Sequence, residues 1–240
     1  MDPASGASAR PLPPAVVPGV RAHDMSNAPP TIYIVDDDAA FRTAVARLLS
    51  ASGYRVMQHE SGRELLEGPQ PTAPGCILLD LQMSGLGGLE LQDRLRARGH
   101  LLPIIFLTGH GDIPSSVRAI KSGAHDFLSK PVPGEILLET VARAVAQSRD
   151  TYEHDSRMNA LRALVATLTP REMTVFSLVV RGRLNKQIAF ELGTSIRTVK
   201  AHRSSIMRKL QVRSLAEAVT MAERLGLLNS PADDAGRPEK

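Results

Sequence analysis

The sequence predicts an α/β doubly wound domain with a five-stranded parallel sheet, followed by a smaller all-α domain of four helices. Three observations carry this. Short apolar runs such as Thr31-Ile32-Tyr33-Ile34-Val35 and Cys76-Ile77-Leu78-Leu79 are continuous rather than alternating, as strands buried on both faces of a parallel sheet are. Amphipathic segments separate these runs, so strand and helix alternate. From about residue 170 the strand-like runs give way to closely spaced helix caps and glycine stops.

The first strand, 31–35, ends in Asp36, Asp37 and Asp38, and a helix with Phe41, Val45, Leu48 and Leu49 at helical spacing follows, closed by Gly53. The order then repeats. A strand over 54–57 precedes a helix over 63–67, and the strand ending in Asp80 leads through Gly85-Leu86-Gly87-Gly88 to a helix over 89–98. Next come a strand over 103–107 ending in Thr108, a helix over 115–121, a strand over 126–128 ending at Lys130, and a helix from Gly134 onward. Helical signals run on to about Leu168, so the last helix is expected to lead into a helical linker. Leu161, Leu164, Val165 and Leu168 make an apolar stripe there, suited to the following domain or to another chain.

At 240 residues the chain holds two ordinary domains. Its hydrophobic content of 42% and charged content of 22% are those of a soluble globular protein. No apolar run approaches the roughly 20 residues that span a bilayer, and a cytoplasmic location is expected. Residues 1–30, rich in Pro, Ala, Ser and Gly, read as a disordered leader, with Met25 as an alternative start; residues 229–240 read as a flexible tail. The single cysteine, Cys76, is expected to be an inert core side chain. The net charge of +4 is uneven: acids and bases balance from Thr31 to Arg149, whereas Lys and Arg outnumber Asp and Glu from Asp150 to Leu228. That is the footprint of a polyanion partner in the second half.

In a doubly wound sheet, ligands collect beyond the carboxyl ends of the strands. Asp36, Asp37, Asp80, Thr108 and Lys130 each follow an apolar strand, so the fold brings all five to one sheet edge. Taken singly each has a plain role, as a turn residue, a helix cap or a solvated lysine. Together they suit phosphoryl chemistry. Mg²⁺ is held by one or two carboxylates plus a phosphate, which assigns direct ligation to Asp37 and Asp80, a water-mediated contact to Asp36, and a further oxygen to the Gln82 backbone carbonyl. Asp80 is then the nucleophile that becomes an acyl phosphate, with Lys130 and the Thr108 hydroxyl contacting the phosphoryl oxygens.

The motifs Val35-Asp36-Asp37-Asp38, Leu79-Asp80-Leu81-Gln82-Met83, Leu107-Thr108-Gly109-His110-Gly111-Asp112 and Gly123 to Pro131 resemble the receiver domain of two-component response regulators. The resemblance implies a flavodoxin-like fold, Asp80 as phosphoacceptor, Asp36 and Asp37 as the acid pair for Mg²⁺, and Thr108 and Lys130 as phosphoryl partners. It also makes Phe127 the switch aromatic and suggests a cis Lys130–Pro131 bond; His110 reads as a surface loop residue. One position departs: the family usually has proline after the Met83 equivalent, and here Ser84 stands there. The loss of a φ constraint is expected to loosen the loop after Asp80 and to alter phosphorylation or dephosphorylation rates.

In the basic half, Thr169-Pro170-Arg171-Glu172 is a capping box with proline at the first helical position, and Gly182 closes that helix. Asn185 is expected to cap a second helix ending at Leu192-Gly193, Ser195 a third, and Ser214-Leu215-Ala216-Glu217 a fourth that ends near Gly226. A tight turn between the second and third helices describes a helix-turn-helix. On the third helix Val199, Ile206 and Leu210 share one stripe with Arg203 at its edge, while Arg197, Lys200, Ala201, Ser204 and Arg208 lie opposite. Such a face suits the major groove: Lys200, Ala201 and Ser204 for base edges, and Arg197, Arg208, Asn185 and Lys186 for phosphates.

This stretch resembles the LuxR-type helix-turn-helix domain through Leu168 to Glu172, Gly182, Asn185 to Ala189, Leu192, Thr198 to Arg203 and Lys209-Leu210. With the receiver ahead of it, the chain resembles the FixJ and StyR branch of response regulators. The expected division is a receiver over 31–149, a helical linker over 150–166 and the DNA-binding domain over 167–228. The implied function is a transcription regulator phosphorylated by a sensor histidine kinase and dimerising on phosphorylation to bind promoter DNA, with RNA polymerase a further partner. Independent enzymatic turnover is not expected. Two other readings stand beside it: a receiver serving as a phosphorylation-independent module, and a phosphotransferase working through an aspartyl phosphate. Gln82, where the latter would carry a second acid, speaks against it.

Overall fold

A computed structural model of the chain describes residues 29–69, 74–100, 102–109 and 123–228. These fall into two compact units that divide between Ser148 and Arg149. Met25, His110, the helix expected over 115–121 and the tail 229–240 lie outside the described residues.

The first unit alternates β1 (Thr31–Val35), α1 (Ala39–Ala51), β2 (Arg55–His59), α2 (Gly62–Glu67), β3 (Gly75–Asp80), α3 (Gly88–Ala97), β4 (Ile104–Thr108) and β5 (Asp126–Ser129). The strands form one sheet in the order β2-β1-β3-β4-β5, with every neighbouring pair parallel. Every residue of β3 and β4 is buried, which is why their sequences are unbroken apolar runs. Alternate side chains serve opposite faces. Ile32, Ile34, Leu78, Ile105 and Leu107 pack with Val45 and Leu49 of α1 and with Leu137 and Val141, whereas Val35, Ile77, Leu79 and Phe106 pack with Leu65 of α2 and Leu91 and Leu95 of α3. Cys76 is buried in β3, and burial pushes its thiol up to about 12, so it stays protonated. Strand β2 lies one to two residues later than the 54–57 expected, because pairing with β1 sets its register from Thr31↔Arg55 to Val35↔His59.

Close approach fixes two glycines. A Cβ at Gly75 would lie 1.9 Å from the Thr31 carbonyl oxygen, and one at Gly88 would lie 2.4 Å from that of Asp80. The second lets α3 begin directly against the end of β3.

Helix α4 (Gly134–Ala166) continues across the boundary between the units, and α5 (Pro170–Val180), α6 (Asn185–Glu191), α7 (Ile196–Lys209) and α8 (Leu215–Arg224) follow. The Thr169–Glu172 capping box is formed, and Ser195 and Ser214 cap α7 and α8 through bonds from Thr198 N and Glu217 N. Two details differ from expectation. Asn185 is the first residue of α6 rather than its cap; Leu184 occupies that place, and its N–H donates to Gln187 Oε1 at 2.8 Å. The Glu217 carboxylate accepts from Arg213 N, one residue before the cap. The stripe of Leu161, Leu164, Val165 and Leu168 packs within the second unit, on a core that includes Val175, Phe176, Ile188, Val199, Ile206 and Leu210.

Candidate functional site

Asp36 leaves β1 and Asp80 ends β3, so parallel neighbouring strands deliver two carboxylates to one sheet edge. The third acid of the run, Asp38, is spent on local structure: its Oδ1 accepts from Ala40 N and Phe41 N and caps α1. Ligand oxygens of Asp36, Asp37 and Asp80 lie within 4.8 Å of one another.

Lys130 joins this cluster from the end of β5. Its Nζ donates to Asp36 Oδ2 at 2.5 Å and to Asp80 Oδ2 at 3.1 Å, and lies 4.2 Å from the centre of the Phe41 ring. Burial works against the ammonium, but the bonds to the two acids outweigh it and its pKa lies above the ordinary lysine value. Asp36 is fully buried, and burial raises its carboxyl pKa despite Lys130. Both of its oxygens are engaged, Oδ1 by Asp38 N at 2.9 Å and Oδ2 by Lys130. Asp80 Oδ1 accepts from Gln82 N at 3.2 Å, so Gln82 enters the site through its amide. Thr108 is buried at the end of β4, its carbonyl accepting from Lys130 N at 2.6 Å. Phe127, opposite Phe106 in the β4–β5 ladder, is half-buried against the α2–α3 core. The Lys130–Pro131 bond is cis.

Asp37 is exposed and is held by the loop that follows Asp80. Ser84 donates to its Oδ2 twice, from N at 2.9 Å and from Oγ at 3.2 Å, and the Ser84 N–H is the leading cause of a carboxyl pKa below the ordinary value. At Ser84, where proline is absent, the loop after Asp80 is tied to an acid by two hydrogen bonds. No sequence signal linked two residues 47 positions apart.

In the second unit, Val199, Ile206 and Leu210 are buried, whereas Arg197, Lys200, Ala201, Ser204 and Arg208 are exposed on the other side of α7. Lys186 is exposed on α6; Asn185 is half-buried, and its Oδ1 accepts from Arg203 Nη1 at 3.1 Å. Among the described residues, Arg197, Lys200 and Arg208 enter no ion pair.

A buried carboxylate, read in the sequence as a cap alone, fixes α7 from behind. Glu172 Oε2 accepts from Lys209 Nζ at 2.6 Å and Thr169 N at 2.8 Å, and Oε1 accepts from Ser205 Oγ at 2.7 Å. These donors, the Lys209 ammonium first, hold its pKa down to about 2.

A doubly wound unit with a lysine-bridged acid cluster at its sheet edge, followed by a helix-turn-helix with a bare basic face, defines a two-part regulator. The response regulator receiver domain model matches residues 32–142, and that of the bacterial regulatory proteins of the luxR family matches 166–222. The chain is 40% identical to Nodulation protein W of Bradyrhizobium diazoefficiens, over 87% of this chain and 92% of that protein. It is 40% identical to the transcriptional regulatory protein FixJ of Azorhizobium caulinodans, over 85% and 96%. The solved structure of the response regulator StyR superposes with a TM-score of 0.76 at 42% identity, covering 82% of this chain and all of that one. The chain belongs to the response regulators that carry a receiver domain and a LuxR-type DNA-binding domain.

Proposed function

We propose that the chain takes a phosphoryl group from a phosphohistidine of a sensor kinase onto Asp80, and that this modification governs dimerisation and promoter binding. The observation that carries the reading is the Lys130 ammonium bonded to both Asp36 and Asp80, with Asp37 beside them. An Asp80 carboxylate oxygen attacks phosphorus, the new P–O bond replaces the P–N bond, and the imidazole leaves with the electron pair. Lys130 supplies fixed positive charge next to the attacking carboxylate, and the Thr108 hydroxyl is assigned a hydrogen bond to a phosphoryl oxygen. Phe127 and Thr108 together form the switch that reads the new charge.

Three clustered carboxylates are an all-oxygen donor set that fits Mg²⁺. Asp37 and Asp80 would hold the ion directly, Asp36 through a water, with the Gln82 carbonyl as a further ligand. When bound, the ion neutralises phosphoryl charge.

Helix α7 is assigned to the major groove, with Lys200, Ala201 and Ser204 at base edges. Arg197, Arg208 and Lys186 bind phosphates, as does Asn185 through its amide N–H groups. The protein acts in the cytoplasm, and RNA polymerase is a further partner at the promoter. Incubation with acetyl phosphate and Mg²⁺ should leave one hydroxylamine-sensitive phosphoryl group on the wild-type chain and none on Asp80→Asn. Equal labelling of the two chains would remove Asp80 from the reaction.

A further inference from the structure

We propose that Ser84 is a positioning residue of the divalent-cation site, gripping Asp37 by one carboxylate oxygen so that the other is set for the ion. The inference rests on the reading of Asp36, Asp37 and Asp80 as that site. Asp36 and Asp80 are buried and share the Lys130 ammonium, so their carboxylates are ordered before any ion arrives. Asp37 is exposed and has no ion pair among the described residues. An exposed aspartate loses rotamer freedom on ligating a metal, a cost paid at each binding event unless other bonds have already fixed it. Ser84 provides those bonds, and both converge on Oδ2. A carboxylate held in this way through one oxygen is oriented for monodentate ligation through the other, the arrangement by which hydrogen-bonded neighbours tune a ligating acid.

In this chain the grip uses two chemical features of position 84 that the proline usual in the family does not supply: a peptide N–H and a hydroxyl. The same bonds tie the loop that follows Asp80 to the end of β1, since Asp37 follows β1 and Ser84 follows β3.

The test is Mn²⁺ binding by the full-length chain, with free Mn²⁺ counted by electron paramagnetic resonance and no phosphodonor present. Ser84→Ala, which keeps the N–H, should weaken Mn²⁺ binding about threefold. Ser84→Pro, which loses both donors, should weaken it about tenfold or more. Ser84→Thr, which keeps both, should return affinity to within about twofold of wild type, a rescue that a mere change of loop shape would not give. Unchanged or tighter binding in Ser84→Pro, or Ser84→Thr as weak as Ser84→Pro while wild type binds normally, would overturn the inference and leave the cation site standing. Failure of the wild-type chain to bind Mn²⁺ would overturn both.

Discussion

At Lys130 a single side chain bears on stability as well as on the proposed chemistry. It is the counter-charge of a carboxylate with no exposure to water, and burial already pushes that carboxylate toward its neutral form. Removing one partner of a buried pair costs more than the pair contributes, because the remaining charge keeps its desolvation penalty. Lys130→Ala should therefore lose phosphoryl labelling and also lower metal-free stability, by on the order of 3 kcal/mol in a urea titration with chelator present. Glu172 gives a prediction of a different kind. Its carboxyl pKa drops from 4.5 to about 2 on folding, so the stabilisation is complete above pH 4.5 and is lost as pH falls toward 2. Calorimetry should show Glu172→Gln melting below wild type at neutral pH, with the gap closing across that acid window. A gap that stays constant through the window would place the effect elsewhere than on the charge. The sequence made the cap role of Glu172 legible because its partner is three residues away; Lys209 and Ser205 are 37 and 33 away, beyond any local pattern.

Elements were readable in proportion to how uniformly they are buried. Strands β3 and β4 are buried at every position and their apolar runs announce them; β2, at the sheet edge with mixed exposure, gave no such run and was placed a residue or two early. The start of α6 was misassigned to Asn185 because an asparagine next to a leucine is the stronger cap signal, whereas tertiary context spends its Oδ1 on Arg203. On α7 the two faces separate cleanly. Lys200→Ala should weaken binding to the specific operator by about 1–3 kcal/mol and relax the preference at one base pair. Arg208→Ala should weaken binding to all sequences alike and reduce the slope of log affinity against log salt by about 0.9. Both follow from fluorescence anisotropy titrations over a salt series, and an unchanged salt slope in Arg208→Ala would remove that residue from the phosphate contacts.

For the whole molecule, the order of two sequence patterns made the architecture legible: alternating strands and helices first, closely capped helices after. The convergence of Asp36, Asp80 and Lys130 was legible for the same reason, since parallel strands must present their carboxyl ends on one edge. The grip of Ser84 on Asp37 was not, because it is a contact between two loops and loops carry no periodicity. The proposed function makes regulation a difference in free energy between two states of the receiver, shifted by charge at Asp80 and expressed at α7. Helix α4 runs from Gly134 to Ala166 without interruption and is the covalent route between the units. The most direct test is the operator-binding isotherm of the full-length chain, recorded with and without acetyl phosphate and Mg²⁺, for wild type and Asp80→Asn. Phosphodonor should tighten binding by wild type at least about fivefold, the lower end of ordinary coupling energies, and leave Asp80→Asn unmoved. Isotherms that respond identically in the two chains, or in neither, would contradict it.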